Sequence, residues 1–363
     1  MKYFIIVGMF LFFAFAEESD VYKEYMKNAN QEREQYNENV MKERKEWEDY
    51  VQKERKQWAE LVGNVRKQWG DFVPTTNKVW SDYSKDFSSH SKVDFENDLI
   101  EIEVLMDSDE NPDTKLNSRF EEMMKEEDPY TKKPILENQI SENGKIVEKR
   151  NTKEVIASKK KKEEIVVGDD GRARKKYTVS IQMAPNSLKE RAERYLPIVK
   201  KYSETYKLDP ALVMAFIHTE SAFNPKAYSR RPDGTPMACG LMQLIPTQAA
   251  RDAHNALYGK DVIVKPEFLF DPDENIKMGT WYINNLKKWW NKKVDNLSEV
   301  KNEYLTVSSY NQGMGTIYKR FKANDLGSKS EDSTYKILNT DPQISKEGRD
   351  YIERVIDRRK LYR

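Results

Sequence analysis

Glu220 is a carboxylate where the surrounding pattern calls for a hydrophobe. With Val213, Phe216 and Ile217 it falls on one face of a helix by the i, i+3, i+4, i+7 rule. Asp209-Pro210 marks the start of that helix, a capping side chain followed by proline at the first helical position. Asn224-Pro225 marks its end, which leaves the carboxylate near the C-terminus, where the helix dipole is negative. Apolar neighbours and the dipole both disfavour ionisation and raise the pKa. A carboxyl group is kept protonated near neutral pH in this way to serve as a general acid. A partly solvated structural glutamate fits the same spacing, and the helix alone does not choose between the two.

Other groups able to do chemistry are few. The 363 residues include 3 histidines and 1 cysteine. His90, His218 and His254 are scattered and give no zinc-ligand spacing with Cys239, so no metal and no cofactor is expected. Cys239 has no histidine motif to activate it and reads as a small packed hydrophobe. Gly313-Met314-Gly315 lacks the preceding strand and third glycine of a dinucleotide loop. With 62 Lys+Arg against 61 Asp+Glu, a net charge of +1 supplies no global field for a polyanion. The basic run from Lys159 to Lys162 is followed at once by Glu163-Glu164 and reads as a solvated loop; no nucleic-acid partner is expected.

The elements that must hold Glu220 begin with the chain's organisation. Its length allows two domains and a connector, and 38% apolar content is low for a wholly compact chain of that size. Lys2, the apolar run Tyr3 to Phe13 and Ala14-Phe15-Ala16 form the three regions of a secretory signal over residues 1–16, with cleavage expected after Ala16. The run is shorter than the roughly 20 residues of an ordinary span. The only cysteine lies at 239, so the cleavage point offers none for a lipid. The expectation is an exported, periplasmic protein without a lipid anchor, with membrane association by another route left open.

Residues 17–74 read as a long charged helix. Tyr25, Tyr36, Trp47, Trp58, Trp69 and Trp80 recur every eleven positions, and Tyr50-Val51, Leu61-Val62 and Phe72-Val73 follow three and four places behind their aromatics. Eleven residues in three turns make an apolar stripe that drifts only slowly around a helix or specifies a right-handed supercoil, until Pro74 ends or kinks it. A helix shielding its stripe against its own folded body, self-association or a protein partner through residues 17–80, and docking on a membrane surface all fit.

Residues 75–183 read as a small α+β domain. Val93 to Glu96, Leu99 to Val104, Lys145 to Glu148, Ile165 to Val167 and Tyr177 to Ile181 are strand candidates, with Asp170-Gly171 as a hairpin signal and Leu116 to Glu126 helical. From 184 to 363 the pattern is helical, opening with Ser187 as a cap.

Four segments in order then narrow the reading. Glu220-Ser221-Ala222-Phe223-Asn224-Pro225-Lys226-Ala227-Tyr228-Ser229, Gly240-Leu241-Met242-Gln243, Asp271 to Tyr282 and Ser309-Tyr310-Asn311-Gln312-Gly313-Met314-Gly315 resemble the signature of lytic transglycosylases with the soluble-transglycosylase (SLT) domain. The membrane-bound lytic murein transglycosylase C type is the nearest likeness, through Tyr177 to Pro197 and more loosely Tyr83 to Glu103. The resemblance covers about four-fifths of the chain; the repeat before Trp80 lies mostly outside it.

The resemblance implies an α+β chain overall: a helical extension and small α+β domain followed by an all-α, lysozyme-like catalytic domain whose groove binds peptidoglycan glycan strands. It implies a lytic exotransglycosylase, a lyase that cleaves the β-1,4 bond between N-acetylmuramic acid and N-acetylglucosamine and leaves a 1,6-anhydromuramyl end. Action from strand ends or internally is not fixed by these residues. Glu220 would be the catalytic acid and base, and the substrate's own acetamido group would serve in place of a second enzyme carboxylate. Ser229 matches the serine that supports the acetamido region. Met242, Gln243 and Asn311 match the groove wall, Tyr310 the tyrosine near the acid, and Tyr351 a later aromatic of the cleft. Core packing for Met242 and Tyr351 and a turn for Ser229 are the plainer alternatives.

The chain departs from the pattern in Arg230 to Pro236, a turn-rich insertion expected to reshape one end of the groove, and in Ser309 where alanine is usual. A lysozyme-type hydrolase using water and a non-catalytic wall-binding scaffold remain the competing functions. Relatives of the C type are usually anchored by a lipid, and the repeat helix is expected to take over that positioning role.

Overall fold

The computed structural model describes residues 20–107, 110–142, 144–147, 151–321 and 326–363; the expected signal at 1–16 lies outside the described residues. The chain divides into two compact units, 1–53 and 54–363. Helix α1 (Asp20–Trp69) is 50 residues long. In the first unit Trp47 stacks on Tyr50 with ring centroids 5.5 Å apart, whereas Tyr25 and Tyr36 are 67% and 58% exposed. In the second unit the stripe is covered: Val65 and Trp69 are buried with Leu105, and Leu61, Phe72, Tyr83 and Val166 close around them.

The helix stops five residues before Pro74. Gly70 takes a φ of +73° and returns its N–H to the carbonyl of Arg66 at 2.9 Å, the left-handed close that glycine permits. Trp80, the sixth aromatic of the repeat, is therefore not helical. It lies on strand β1 (Val79–Tyr83), buried in the core of the sheet.

Next come β2 (Ser89–Asp94), β3 (Leu99–Met106), helix α2 (Asp113–Met123), the short hairpin β4 (Ser141–Glu142) and β5 (Lys145–Ile146), α3 (Thr152–Ser158), β6 (Lys162–Val167) and β7 (Ala173–Gln182). Five strands form one antiparallel sheet in the order β1-β2-β3-β7-β6. Its alternation is strict on β3. Ile100, Ile102 and Val104 are buried with Leu116 and Phe120 of α2, while Glu101 pairs across to Lys92 and Glu103 Oε2 meets His90 Nδ1 at 2.8 Å. The turn at Asp170-Gly171 joins β6 to β7, with Gly171 at φ +76°.

The C-terminal part comprises α4 (Ser187–Tyr206), α5 (Pro210–Ser221), the hairpin β8 (Tyr228–Arg230) and β9 (Pro236–Cys239), α6 (Ala249–Tyr258), α7 (Pro266–Leu269), α8 (Pro272–Lys293), α9 (Glu299–Gln312), α10 (Met314–Tyr318), α11 (Glu331–Thr340) and α12 (Lys346–Arg359). Among the described residues it is helical apart from that short hairpin. Ser187 is inside α4 and does not cap it: Asn186 holds the cap position, and Ser187 Oγ donates to Asp98 at 2.8 Å. Helix α5 is enclosed on every side, with Ala211 through Thr219 all buried. A helix apolar all round belongs in a core, so the single buried face expected from the sequence is too narrow a description.

Candidate active site

Both ends of α5 are anchored by side chains. Asp209 accepts from the Ala211 N–H at 2.9 Å, and its other oxygen accepts from Arg359 at 2.6 Å. At the far end the helix closes at Ser221, three residues before Asn224, because Ala222 and Phe223 turn left-handed with φ of 49° and 60°. Carbonyls at this end are taken up by distant donors, that of His218 in addition to the Ala222 N–H. Asn77 Nδ2 donates to the Glu220 carbonyl at 2.6 Å, Arg358 Nη1 to that of His218 at 2.8 Å, and Arg191 Nε to that of Ala222 at 3.2 Å. Asn224 Nδ2 returns a bond to the Asn77 carbonyl at 3.2 Å. Glu220 is thus fixed at a rigid helix end.

Its carboxylate is half-buried and meets one phenol: Tyr351 on α12 donates to Glu220 Oε1 at 2.6 Å. Burial pushes the Glu220 carboxyl up to about 7; the Tyr351 hydrogen bond opposes the rise, the charge of Glu347 adds to it, and Lys78 and Arg354 lower it. Burial also drives Tyr351 and Tyr310 well above the usual phenol range, so both remain donors. Phe216, one turn before Glu220, packs between the two phenols, 4.8 Å from the Tyr310 ring and 6.4 Å from the Tyr351 ring.

Tyr310 links this group to the segment 240–243. Its hydroxyl donates to the Met242 carbonyl at 2.8 Å. The Met242 N–H donates to Asn275 Oδ1 at 2.8 Å, and Asn275 Nδ2 reaches the carbonyls of Cys239 and Leu269 at 3.0 and 2.8 Å. The Met242 side chain is fully buried against Gly279, where any Cβ would meet its sulfur, which is the core packing the sequence left open for it. Gln243, at φ 48°, accepts from Ser229 Oγ at 2.6 Å and donates to the Gly240 carbonyl at 2.9 Å.

The structure therefore brings Glu220, Tyr310 and Tyr351 together around Phe216, and Ser229 and Gln243 together as a pair joined to them through Met242. Asn311 stands in a third group: it accepts from Gln312 Nε2 at 2.5 Å, and Gln312 accepts from Ser345 at 3.1 Å. Asn77 and Asn275 were not singled out from sequence, and Phe216 was named only as part of the apolar face; Asn275 lies within the segment Asp271 to Tyr282, and Asn77 carries no local signal. Cys239 is fully buried, and burial raises its thiol far above its usual range, which leaves no thiolate to act. Among the described residues no group of three or more His, Cys, Asp or Glu converges as a metal site, and no helix is long and apolar enough to cross a membrane.

Residues 197–333 match the family model of the transglycosylase SLT domain. The chain is 35% identical over 193 residues to the membrane-bound lytic murein transglycosylase C of Pectobacterium atrosepticum, covering 52% of each chain. It is 27% identical over 301 residues to the protein of that name from Klebsiella pneumoniae, covering 77% of this chain and 81% of that one. The chain spans about half the length of the first curated relatives it matches. The 70 kDa soluble lytic transglycosylase of Escherichia coli is a solved structure similar to it, with 22% identity over 47% of this chain and 24% of that chain and a TM-score of 0.35.

Proposed function

We propose, from the transglycosylase SLT domain that residues 197–333 carry, that this chain is a peptidoglycan lytic transglycosylase that breaks the β-1,4 bond between N-acetylmuramic acid and N-acetylglucosamine. The observation that carries the reading is one half-buried carboxyl group, Glu220, held near neutrality with a phenol on its Oε1. A carboxyl group titrating there is protonated often enough to act as an acid and ionised often enough to act as a base.

In the first step Glu220 gives its proton to the glycosidic oxygen as the bond from that oxygen to the muramyl C1 breaks. The carboxylate left behind is stabilised by the Tyr351 hydroxyl. In the second step it takes the proton of the muramyl 6-hydroxyl, whose oxygen bonds to C1 and closes the anhydro ring. No water enters, and Glu220 ends protonated as it began. Ser229, Gln243, Tyr310 and Asn311 are assigned to binding the sugars, and Tyr351 to the acid itself. Digestion of sacculi with the wild type and Glu220→Gln, followed by mass spectrometry, tests the reading: anhydromuramyl ends are expected from the wild type only.

Reducing-end muramic acid in place of the anhydro product would instead mean hydrolysis.

The division we propose is an export signal at 1–16, the repeat helix at 17–74, the α+β domain at 75–183 and the catalytic domain at 184–363. The signal directs the chain to the periplasm, where its peptidoglycan substrate lies. The exposed stripe bearing Tyr25 and Tyr36 supports association with a second copy or a protein partner. Sedimentation of the purified chain beside a Tyr25→Glu/Tyr36→Glu variant checks the first option, and a wild type that stays monomeric at high concentration removes it.

A further inference from the structure

Ser81, His90 and Glu103 stand in a chain of polar contacts that the cleavage of sugars does not use. Ser81 Oγ lies 2.8 Å from His90 Nε2, and His90 Nδ1 lies 2.8 Å from Glu103 Oε2. Burial disfavours the charged form of Glu103, but the bond to His90 and the Lys176 ammonium outweigh it and hold the carboxyl down at about 2. An ionised carboxylate can only accept, so Nδ1 carries the hydrogen of the neutral ring and Nε2 turns a lone pair toward Ser81. A hydroxyl beside a base that is itself oriented by a carboxylate is the arrangement that makes serine a nucleophile.

The sheet fixes each member. His90 and Glu103 are register partners on β2 and β3. Ser81 and Tyr83 share one face of β1, two residues apart. Thr75 Oγ1 donates to the Ser81 carbonyl at 2.8 Å and accepts from the Ser81 N–H at 3.1 Å, which clamps the strand at the serine. The His90 ring, 1% exposed, stacks on the Tyr83 ring with centroids 4.2 Å apart and meets Trp69 edge-on at 5.9 Å.

Ser81 opens onto a space where a substrate fits. Half-buried, it lines a cavity of about 600 Å³ with apolar walls from Trp58 and Leu61 of α1, Phe72 and Phe270. That volume falls within the roughly 300–1,000 Å³ usual for small-ligand sites. The α1 wall is held where Glu54 Oε2 accepts from Arg230 Nη2 at 2.8 Å and Arg55 pairs with Asp233 at 2.8 Å. Tyr83 lines the same cavity and supplies a donor. Its Oη accepts from the Val73 N–H at 2.9 Å, and among the described residues its own proton meets no acceptor. Burial pushes this phenol up to about 12, so the proton stays on. At rest the Ser81 hydroxyl donates to the Val73 carbonyl at 2.6 Å, a bond it exchanges for His90 when it reacts.

We propose that Ser81, His90 and Glu103 form a second catalytic centre, which hydrolyses short-chain carboxylic esters bound in this cavity. His90 Nε2 takes the Ser81 proton as Oγ bonds to the ester carbonyl carbon, and the Tyr83 hydroxyl stabilises the negative oxygen that results. The bond to the alcohol oxygen then breaks, the alcohol leaves with the proton from His90, and the acyl group stays on Ser81. Water adds to the acyl carbon and gives a proton to His90, which returns it to Ser81 Oγ as the carboxylic acid departs. The apolar walls select the acyl chain.

The test treats the full wild-type chain with diisopropyl fluorophosphate, maps the labelled peptide by mass spectrometry and follows hydrolysis of p-nitrophenyl butyrate. The label is expected on Ser81, with fluoride released, and hydrolysis is expected to stop in step with labelling. Ser81→Ala should lower butyrate hydrolysis about 10²–10⁴-fold and still cut sacculi at the wild-type rate. His90→Gln should leave Ser81 unlabelled. Mapping of the wild type needs no variant, so it decides the matter even where a substitution unfolds the sheet. A wild type with no label on Ser81, hydrolysis that survives Ser81→Ala, or equal labelling of Ser81 in a folded His90→Gln would each overturn the proposal. None of these outcomes touches the transglycosylase reading, which uses other residues.

Discussion

Tyr351 reaches across 131 residues of chain to place its hydroxyl 2.6 Å from Glu220 Oε1. That bond lowers the pKa against the rise from burial, the net value standing at about 7, because a donor favours the ionised carboxylate. Tyr351→Phe removes the donor and keeps the ring against Phe216. The alkaline limb of the kcat/KM profile, set near 7 in the wild type by loss of the acid form, is expected to move upward, with kcat lowered because the carboxylate formed in the first step loses its partner. A limb that stays in place or moves to lower pH would contradict this account of the pair.

Glu220 should cost the fold stability at high pH. Its pKa rises from 4.5 to about 7 on folding, so the folded chain binds the proton more tightly than the unfolded one. The stabilising contribution is complete below about 4.5 and is lost as the pH climbs through about 7. Discounted for a half-exposed group, the loss is about 1–3 kcal/mol. Scanning calorimetry of Glu220→Gln should therefore find a higher Tm than the wild type at pH 8 and little difference near pH 4, together with a fall in kcat of about 10²–10⁴. A gap in Tm that does not change with pH would mean that the carboxyl group titrates normally.

Local features explain how far the sequence could be read. Glu220 was legible because an acid among Val213, Phe216 and Ile217 violates a helical pattern within one segment, and the Asp209-Pro210 start signal is equally local. The roles of Asn77 and Asn275 were not, because each works through backbone groups brought close by folding, Asn77 on the carbonyl of a residue 143 positions away. Strand β1 was hidden because Trp80 keeps the eleven-residue spacing of a helix that has already ended at Trp69. The Glu-Arg-x-x-aromatic order recurs at 32–36, 43–47 and 54–58, and pattern alone gave no means of telling that the third copy grips the Arg230 hairpin. Tyr351 was reached only through family resemblance, since nothing near it in the chain announces a carboxylate partner.

Gly279 should be intolerant of even one methyl group. A Cβ there would come within 2.8 Å of Met242 Cε and closer to its sulfur, and Met242 is held from the other side by Asn275 and Tyr310. Overpacking of this kind costs about 1–3 kcal/mol. Gly279→Ala is expected to lower the denaturant midpoint by a corresponding amount and to raise KM, as the displaced backbone carries Gln243 with it. Adding Met242→Ala should recover part of the stability, giving a favourable coupling energy in a double-mutant cycle. Strictly additive losses would show that the two residues do not press on each other.

Arg191 ties the helix end that carries Glu220 to the β-sheet domain. The side chain, 2% exposed, donates to the carbonyls of Ala222 at 3.2 Å and Phe95 at 2.8 Å, to Gln139 Oε1 at 3.1 Å and to Asp98 Oδ1 at 3.0 Å, and it lies over the Phe95 ring at 5.2 Å. Arg191→Met fills much of the volume but leaves the acceptors without their donor and Asp98 without its counter-ion, a loss of about 3–5 kcal/mol by analogy with broken buried pairs. Arg191→Lys is expected to recover little, since a single ammonium cannot span the fan of acceptors that the planar guanidinium meets. Urea unfolding of both variants checks the magnitude, and a loss under about 1 kcal/mol for Arg191→Met would mean that water replaces the bonds. Because the Ala222 carbonyl belongs to the left-handed residue that closes α5, the same change should loosen the Glu220 end of the helix and lower kcat more than binding of the strand.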